Sequence, residues 1–202
     1  MHKAILFDLG RVLVHFDFRR GYDTLETLCR YPAAEIPKRL APTGLVERFE
    51  TGRVAPREFF DQFCRTLELD LEYDRFCTIW SSIFTHALLP ESMLEGLARH
   101  YRLVLLSNTN ALHFGMIREN YGHLLRHFHH LVLSFEVGAM KPQSEIFQAA
   151  IARAQCLPGE CFYTDDIAAY IEAARGNGID AVQFESREQL EREMRGRGIE
   201  WA

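Results

Sequence analysis

The sequence predicts an α/β domain, a parallel sheet covered by helices on both faces, with a helical insert early in the chain. Two observations carry the sheet and a third the insert. Short apolar runs recur at wide spacing, each bounded by polar residues. Helical patterns separate them, so the order is strand, helix, strand, helix, which builds a doubly wound parallel sheet. From about residue 16 to 88 the alternation stops and amphipathic helical stretches replace it.

The first run, Ala4-Ile5-Leu6-Phe7, is apolar throughout, as a strand buried on both faces must be. Helical patterns then cover Tyr22 to Arg30, Pro56 to Leu67 and Tyr73 to Phe84, with little strand character. The chain rejoins the sheet near Leu89-Pro90, which divides it into a core of residues 1–15 and 89–202 and an insert of 16–88. A helix from Pro90 to His100 precedes the strand Leu103-Val104-Leu105-Leu106, and Leu131-Val132-Leu133 makes a third strand. A helix over Ser144 to Ala154 leads to Cys161-Phe162-Tyr163, which runs into Thr164-Asp165-Asp166. A helix over Ile167 to Arg175 stops at Gly176-Asn177-Gly178, a helix-ending signal, before the strand Ala181-Val182-Gln183-Phe184. Residues 185–202 read as a charged helix.

With 202 residues, 48% of them hydrophobic, the chain can bury a full core. A net charge of -5 and the lack of a Lys/Arg cluster argue against a nucleic-acid or anionic-membrane partner. No apolar stretch approaches the ~20 residues that cross a bilayer. The opening run is too short for an export signal, and five cysteines with no CxxC pair argue against a disulfide framework. The expected setting is a reducing cytoplasm, as a monomer or homodimer. The expected partner is a small molecule.

In a doubly wound sheet, ligands gather at the carboxyl ends of the strands. The polar residues found there are Asp8, Ser107-Asn108-Thr109-Asn110, Lys141 and Asp165-Asp166. Carboxylates to hold a divalent cation, a hydroxyl and amides for anionic oxygens, and an ammonium suit phosphoryl transfer, which needs an in-line nucleophile and electrostatic stabilisation. Asp8 is placed as the nucleophile. A dianionic phosphate would be repelled by three carboxylates unless a hard cation sat among them, which points to magnesium held by Asp8, the Gly10 carbonyl and Asp166, with Asp165 as a lesser ligand. Lys141 would fix the phosphate and Asp8 by charge, while the Ser107 hydroxyl and the Asn108 N–H donate to phosphate oxygens.

Phe7-Asp8-Leu9-Gly10-Arg11-Val12-Leu13, Leu106-Ser107-Asn108-Thr109-Asn110, Met140-Lys141-Pro142 and Tyr163-Thr164-Asp165-Asp166 resemble, in order, the motifs of the haloacid dehalogenase superfamily. The likeness is closest to a bacterial subgroup of sugar-phosphate phosphatases that includes one acting on alpha-D-glucose 1-phosphate. It implies a Rossmann-like core, a helical cap inserted after the first motif, and a magnesium-dependent phosphatase acting on a small phosphorylated metabolite. Two positions depart from the superfamily pattern. Most of its phosphatases carry a second aspartate two residues after the nucleophile as acid and base, and Gly10 stands there, as in the resembling subgroup. The lost proton donor is worth roughly 10²–10⁴ in rate; Asp17 and His15 are nearby candidates to replace it. Tyr170 stands four residues after Asp166, where an acidic or amide residue is usual, so weaker metal affinity is expected.

Singly, each aspartate reads as a turn or cap residue and Lys141 as a solvated lysine before a helix-starting proline; their joint placement shifts the reading to function. His123, His127, His129 and His130 include an i, i+4 pair but lack accompanying ligands, so a solvated helix end is expected. Phe16, Phe18, Phe49, Phe59, Phe60 and Phe63 have the spacing of core aromatics, most of them expected to pack inward. Phe49-Glu50-Thr51-Gly52-Arg53 resembles the stretch of related proteins where the cap approaches the site, so Glu50 and Arg53 are candidates for substrate contact or, equally, for a surface turn. Two other functions remain open at this level. One is a metal-independent dehalogenase of the same superfamily, which would gain nothing from Asp165-Asp166. The other is a catalytically weak binding or regulatory protein, kept open by Gly10 and Tyr170.

Overall fold

The computed structural model describes residues 1–201. Strands β1 (Ala4–Phe7), β2 (Val14–Phe16), β3 (Phe84–Ala87), β4 (Arg102–Ser107), β5 (His130–Leu133), β6 (Cys161–Asp165) and β7 (Asp180–Gln183) follow in chain order. Five of them form one sheet in the order β5-β4-β1-β6-β7, every neighbour parallel. This is the doubly wound α/β fold that the apolar runs predict. β1 lies at the centre, all four residues fully buried, with Phe7 level with Leu105 on one side and Thr164 on the other.

Alternate residues of the central strands feed two separate cores, which is why these segments are apolar without alternation. Ile5, Phe7, Leu103, Leu105 and Phe162 face the helices Glu91–Ala98, Ala111–Leu125 and Arg187–Gly196 through Leu94, Leu97, Phe114, Ile117 and Met194. Ala4, Leu6, Val104, Leu106 and Tyr163 face the helices Ser144–Ala154 and Ala168–Gly176 through Ile146, Phe147, Ala150 and Ile171. Stacking helices on both faces leaves the carboxyl ends of β1, β4 and β6 open at one edge.

Between β2 and β3 the chain is helical, and a third core of Leu25, Leu45, Phe49, Phe59, Phe63, Phe76 and Trp80 lies inside those helices. Phe49 and Phe59 stack with ring centroids 4.1 Å apart. The helix Pro56–Leu67 starts on a proline, whose missing N–H is harmless in the first turn. Two boundaries differ from the sequence reading. The expected helix over Tyr73 to Phe84 ends at Ser81, and Phe84–Ala87 instead pairs antiparallel with Val14–Phe16, a partner about seventy residues away that no local pattern reveals. The first insert helix runs over Phe18–Glu26 rather than Tyr22 to Arg30, because the Asp17 carboxylate accepts from the Arg19 N–H at 2.9 Å and fixes its start. Among the described residues no helix is long and apolar enough to cross a membrane.

Two of the contacts between the insert and the sheet domain fix its seat. Trp80 stacks on His113 of the helix Ala111–Leu125 at 5.1 Å, and the His113 Nε2 lies 3.0 Å from the Trp80 carbonyl. At the other, Gly52 has φ +69°, and a Cβ there would fall 2.1 Å from the Phe135 carbonyl oxygen, so only glycine permits the approach.

Candidate active site

β1 delivers Asp8 to the open edge of the sheet, where its N–H donates to the Thr164 carbonyl at 3.0 Å and continues the ladder with β6 by one residue. The chain then turns sharply. Arg11 adopts φ +59°, its N–H donates to the Val14 carbonyl at 2.8 Å, and the Leu13 and Val14 N–H groups share the Leu9 carbonyl. None of these turn hydrogen bonds uses the Gly10 carbonyl. A Cβ on residue 10 would meet Phe16 Cε1 at 2.5 Å: the Phe16 ring fills the space into which an aspartate there would project.

Lys141 is 1% exposed and its ammonium is the hub of the site. Nζ donates to Asp8 Oδ1 at 2.7 Å and to Asp165 Oδ2 at 2.6 Å, with the Leu106 carbonyl and the Tyr163 hydroxyl each at 3.2 Å. The Asn108 side chain holds the lysine's backbone from both ends: Nδ2 donates to the Lys141 carbonyl at 3.0 Å and Oδ1 accepts from its N–H at 2.8 Å. The Tyr170 ring lies 5.1 Å from Nζ, and its hydroxyl is 3.4 Å from Asn108 Nδ2. The Lys141-Pro142 peptide is cis. Ser107, almost fully buried, ends β4 beside this clamp.

Both oxygens of Asp165 are engaged: Oδ1 accepts from the Ile167 N–H at 2.9 Å, and Oδ2 takes Lys141 and the Tyr163 hydroxyl. Asp166 is less committed, with Arg11 at 3.8 Å. Oxygens of Asp8, Asp165 and Asp166 lie within 4.8 Å of one another. Burial drives the Asp8 carboxyl up to about 7, with Lys141 opposing and Asp165 reinforcing the rise. Burial and then Asp165 also raise Asp166. Burial lowers the Lys141 ammonium, but Asp8 and Asp165 outweigh it, and its pKa sits above the ordinary lysine value. Crowded, desolvated carboxylates with hard oxygen donors are the environment a divalent cation stabilises.

A cavity of about 300 Å³ opens over this cluster, walled by Asp8, Asn108, Lys141 and Asp166 from the sheet domain and by Phe16, Phe18 and Glu50 from the chain around and within the insert. A model of the haloacid dehalogenase-like hydrolases matches residues 2–178. The chain belongs to that family. Over 96% of this hydrolase and 97% of the other protein, it is 26% identical to a D-ribitol-5-phosphate phosphatase of Bacteroides thetaiotaomicron. A family enzyme from the same organism, solved with magnesium and inorganic phosphate, superimposes with a TM-score of 0.80 at 25% identity, covering 93% of this hydrolase and 96% of that chain. A hydrolase of the family from Porphyromonas gingivalis gives 0.85 at 26% identity, with 99% of both chains covered.

The structure brings Asp8, Gly10, Ser107, Asn108, Lys141, Asp165 and Asp166 to one edge of the sheet, and Glu50 to the same cavity. Arg53 is exposed and lines no part of it. Asp17 is used as a helix cap, and His15 Nδ1 hydrogen-bonds Thr85 at 2.9 Å while its ring stacks on His86; neither lines the cavity over Asp8, and His15 faces a neighbouring recess with Arg11 and Asp166. The four histidines do not converge: His127 pairs with Glu91, His129 accepts from the Leu103 N–H and His130 meets Arg102. Phe49, Phe59 and Phe63 are core, whereas Phe16 and Phe18 line the cavity. Two residues escape the sequence reading. Tyr163 reads as one more apolar strand residue, yet its hydroxyl bridges Lys141 and Asp165; the clue is that a buried tyrosine needs a partner for its O–H. Ser134 donates to the Thr109 carbonyl and accepts from its N–H, both at 2.9 Å, latching the loop after β4.

Proposed function

We propose that this hydrolase is a magnesium-dependent phosphatase that cleaves a small phosphate monoester, of the sugar- or polyol-phosphate class, through an aspartyl-phosphate on Asp8. The observation that carries it is the buried Asp8 carboxylate held by an ammonium whose second partner is Asp165. That pairing aims one Asp8 oxygen at Lys141 and leaves the other for attack on phosphorus. Lys141 then neutralises phosphate charge, while the Ser107 hydroxyl and the Asn108 N–H donate to its oxygens. Asn108 and Tyr170 hold the lysine in place, and Asp165, engaged at both oxygens, acts mainly to orient it.

The donor set fits a hard cation: Asp8, the uncommitted Gly10 carbonyl and Asp166 would hold magnesium, with Asp165 a lesser contributor. When bound, the ion supplies charge neutralisation for the phosphate and the carboxylates around it. Residues 1–15 and 89–202 serve as the catalytic core and 16–88 as a cap. The cavity of about 300 Å³ is the size of a small metabolite, and likeness to a ribitol-phosphate phosphatase favours a polyhydroxylated leaving group. Five free thiols suit a reducing cytoplasm. The test is phosphate release from p-nitrophenyl phosphate and a panel of sugar and polyol phosphates, with magnesium and with excess EDTA. Metal-dependent release is expected; release from no substrate under either condition overturns the reading.

A further inference from the structure

Phosphoryl transfer to Asp8 leaves an alkoxide on a sugar or polyol, a poor leaving group unless a proton reaches it as the bond breaks. The usual position for that donor is closed here. Residue 10 is glycine, and the Phe16 ring stands 2.5 Å from where its Cβ would be. The acid must therefore come from elsewhere in the cavity, and its ionisable lining is short: Asp8, Arg11, Glu50, Lys141, Asp166 and Tyr170, with His113 on the adjoining recess.

Most of these are spoken for. Asp8 and Lys141 are bonded to one another, and Asp166 is the expected cation ligand with Arg11 beside it. Tyr170 is bound into the Asn108–Lys141 clamp, and burial pushes its phenol above the ordinary value, away from proton donation. His113 has no free nitrogen: Nδ1 takes the Asn110 amide at 3.1 Å and Nε2 the Trp80 carbonyl at 3.0 Å. Glu50 differs. It is the last residue of the helix Leu45–Glu50, it lines the cavity beside Phe16 and Phe18, and it has no hydrogen-bond or ion-pair partner among the described residues. Its place is fixed from behind. The buried Thr51 hydroxyl donates to the Glu47 carbonyl at 2.8 Å, and Gly52 is packed on the Phe135 backbone.

We propose that Glu50 is the proton donor to the leaving oxygen, an acid supplied by the insert in place of the side chain that Gly10 lacks. The proposal rests on the phosphatase reading. In the first half-reaction an Asp8 oxygen bonds to phosphorus, the ester P–O bond breaks, and the departing oxygen takes the Glu50 proton, giving the free alcohol and a Glu50 carboxylate. In the second, that carboxylate takes a proton from the water that attacks phosphorus, the Asp8–phosphorus bond breaks, and inorganic phosphate leaves with Glu50 reprotonated. The sum is ester plus water to alcohol plus phosphate. Burial raises the Glu50 carboxyl from 4.5 to about 7, where both protonation states are present at neutral pH.

The experiment compares kcat/KM, which reports steps up to alcohol release, for wild type, Glu50→Gln and Glu50→Asp with magnesium. The substrates are aryl phosphates of graded leaving-group acidity, which carry no sugar hydroxyls, and ribitol 5-phosphate. Thermal melts check that the variants fold. Glu50→Gln is expected to lose roughly 10²–10⁴ on ribitol 5-phosphate, to lose progressively less as the aryl leaving group improves, and to approach wild type on p-nitrophenyl phosphate, with Glu50→Asp recovering part of the loss. A loss confined to ribitol 5-phosphate and flat across the aryl series makes Glu50 a substrate contact and overturns the proposal; an equal loss on every substrate makes it structural and does the same. A wild-type enzyme that hydrolyses none of them refutes the phosphatase reading itself, a different outcome from either.

Discussion

Replacing Lys141 with methionine tests the electrostatic account of the site. Its ammonium, 1% exposed, sits 2.7 Å from Asp8 and 2.6 Å from Asp165. At an effective dielectric of ~20, a unit pair about 3 Å apart gains on the order of 5 kcal/mol before desolvation is counted. Removing one member of such a buried set leaves uncompensated carboxylates, which costs about 3–5 kcal/mol at pH 7. The same cause fixes the pH dependence. Without the ammonium, burial holds the Asp8 carboxyl still further above the unfolded carboxylate value, so the folded variant binds more protons than the unfolded chain. Its stability then rises as pH falls from 7 towards 5, by up to ~1.4 kcal/mol per unit for the Asp8 carboxyl. Wild type keeps the ammonium and rises less, so the gap between the two narrows. Urea unfolding in EDTA at pH 7 and pH 5 measures both quantities. A gap under ~1 kcal/mol at pH 7, or one that widens on acidification, would mean that the ammonium does not hold these carboxylates.

Other consequences follow from the insert and its contacts. His113 is fully buried and burial lowers it from 6.5 to about 4, so the unfolded chain binds the extra proton and stability falls as pH drops from about 6.5 to about 4, by about 3 kcal/mol in all. Unfolding of His113→Gln across that range should show a shallower loss than wild type; equal slopes would mean that His113 is not the group responsible. Gly52→Ala puts a Cβ 2.1 Å from the Phe135 oxygen at φ +69°, and the combined clash and left-handed strain should cost about 2–4 kcal/mol. A melt unchanged from wild type would show that the insert does not pack there.

The sheet is legible because its strands are buried on both faces. Ala4–Phe7 and Leu103–Leu106 must be apolar throughout to serve two cores, and a continuous run between helical patterns is an unmistakable sign. The ribbon of Val14–Phe16 and Phe84–Ala87 is not legible, since it is short, half polar and stabilised by pairing across the whole insert. The carboxylates and Lys141 are legible as a set because each follows a strand and the sheet order brings those strands together. What a residue does within the set is another matter. The sequence ranks Asp166 ahead of Asp165 as a cation ligand but does not show their partners: Asp165 is engaged at both oxygens, whereas Asp166 has Arg11 at 3.8 Å. Asp17 and His15 read as available acids in the sequence, but Asp17 caps a helix, His15 is stacked on His86, and neither lines the cavity over Asp8. Glu50 becomes a candidate acid once the third core has placed its helix over the strand ends.

The proposed aspartyl-phosphate places the transferred phosphoryl group on Asp8. Turnover with p-nitrophenyl phosphate and magnesium, quenched in acid and digested for mass spectrometry, tests it most directly. One added phosphoryl group is expected on the peptide containing Asp8 and none in Asp8→Asn, which folds but does not turn over. Full turnover with no modification at Asp8, or undiminished activity in Asp8→Asn, would contradict it.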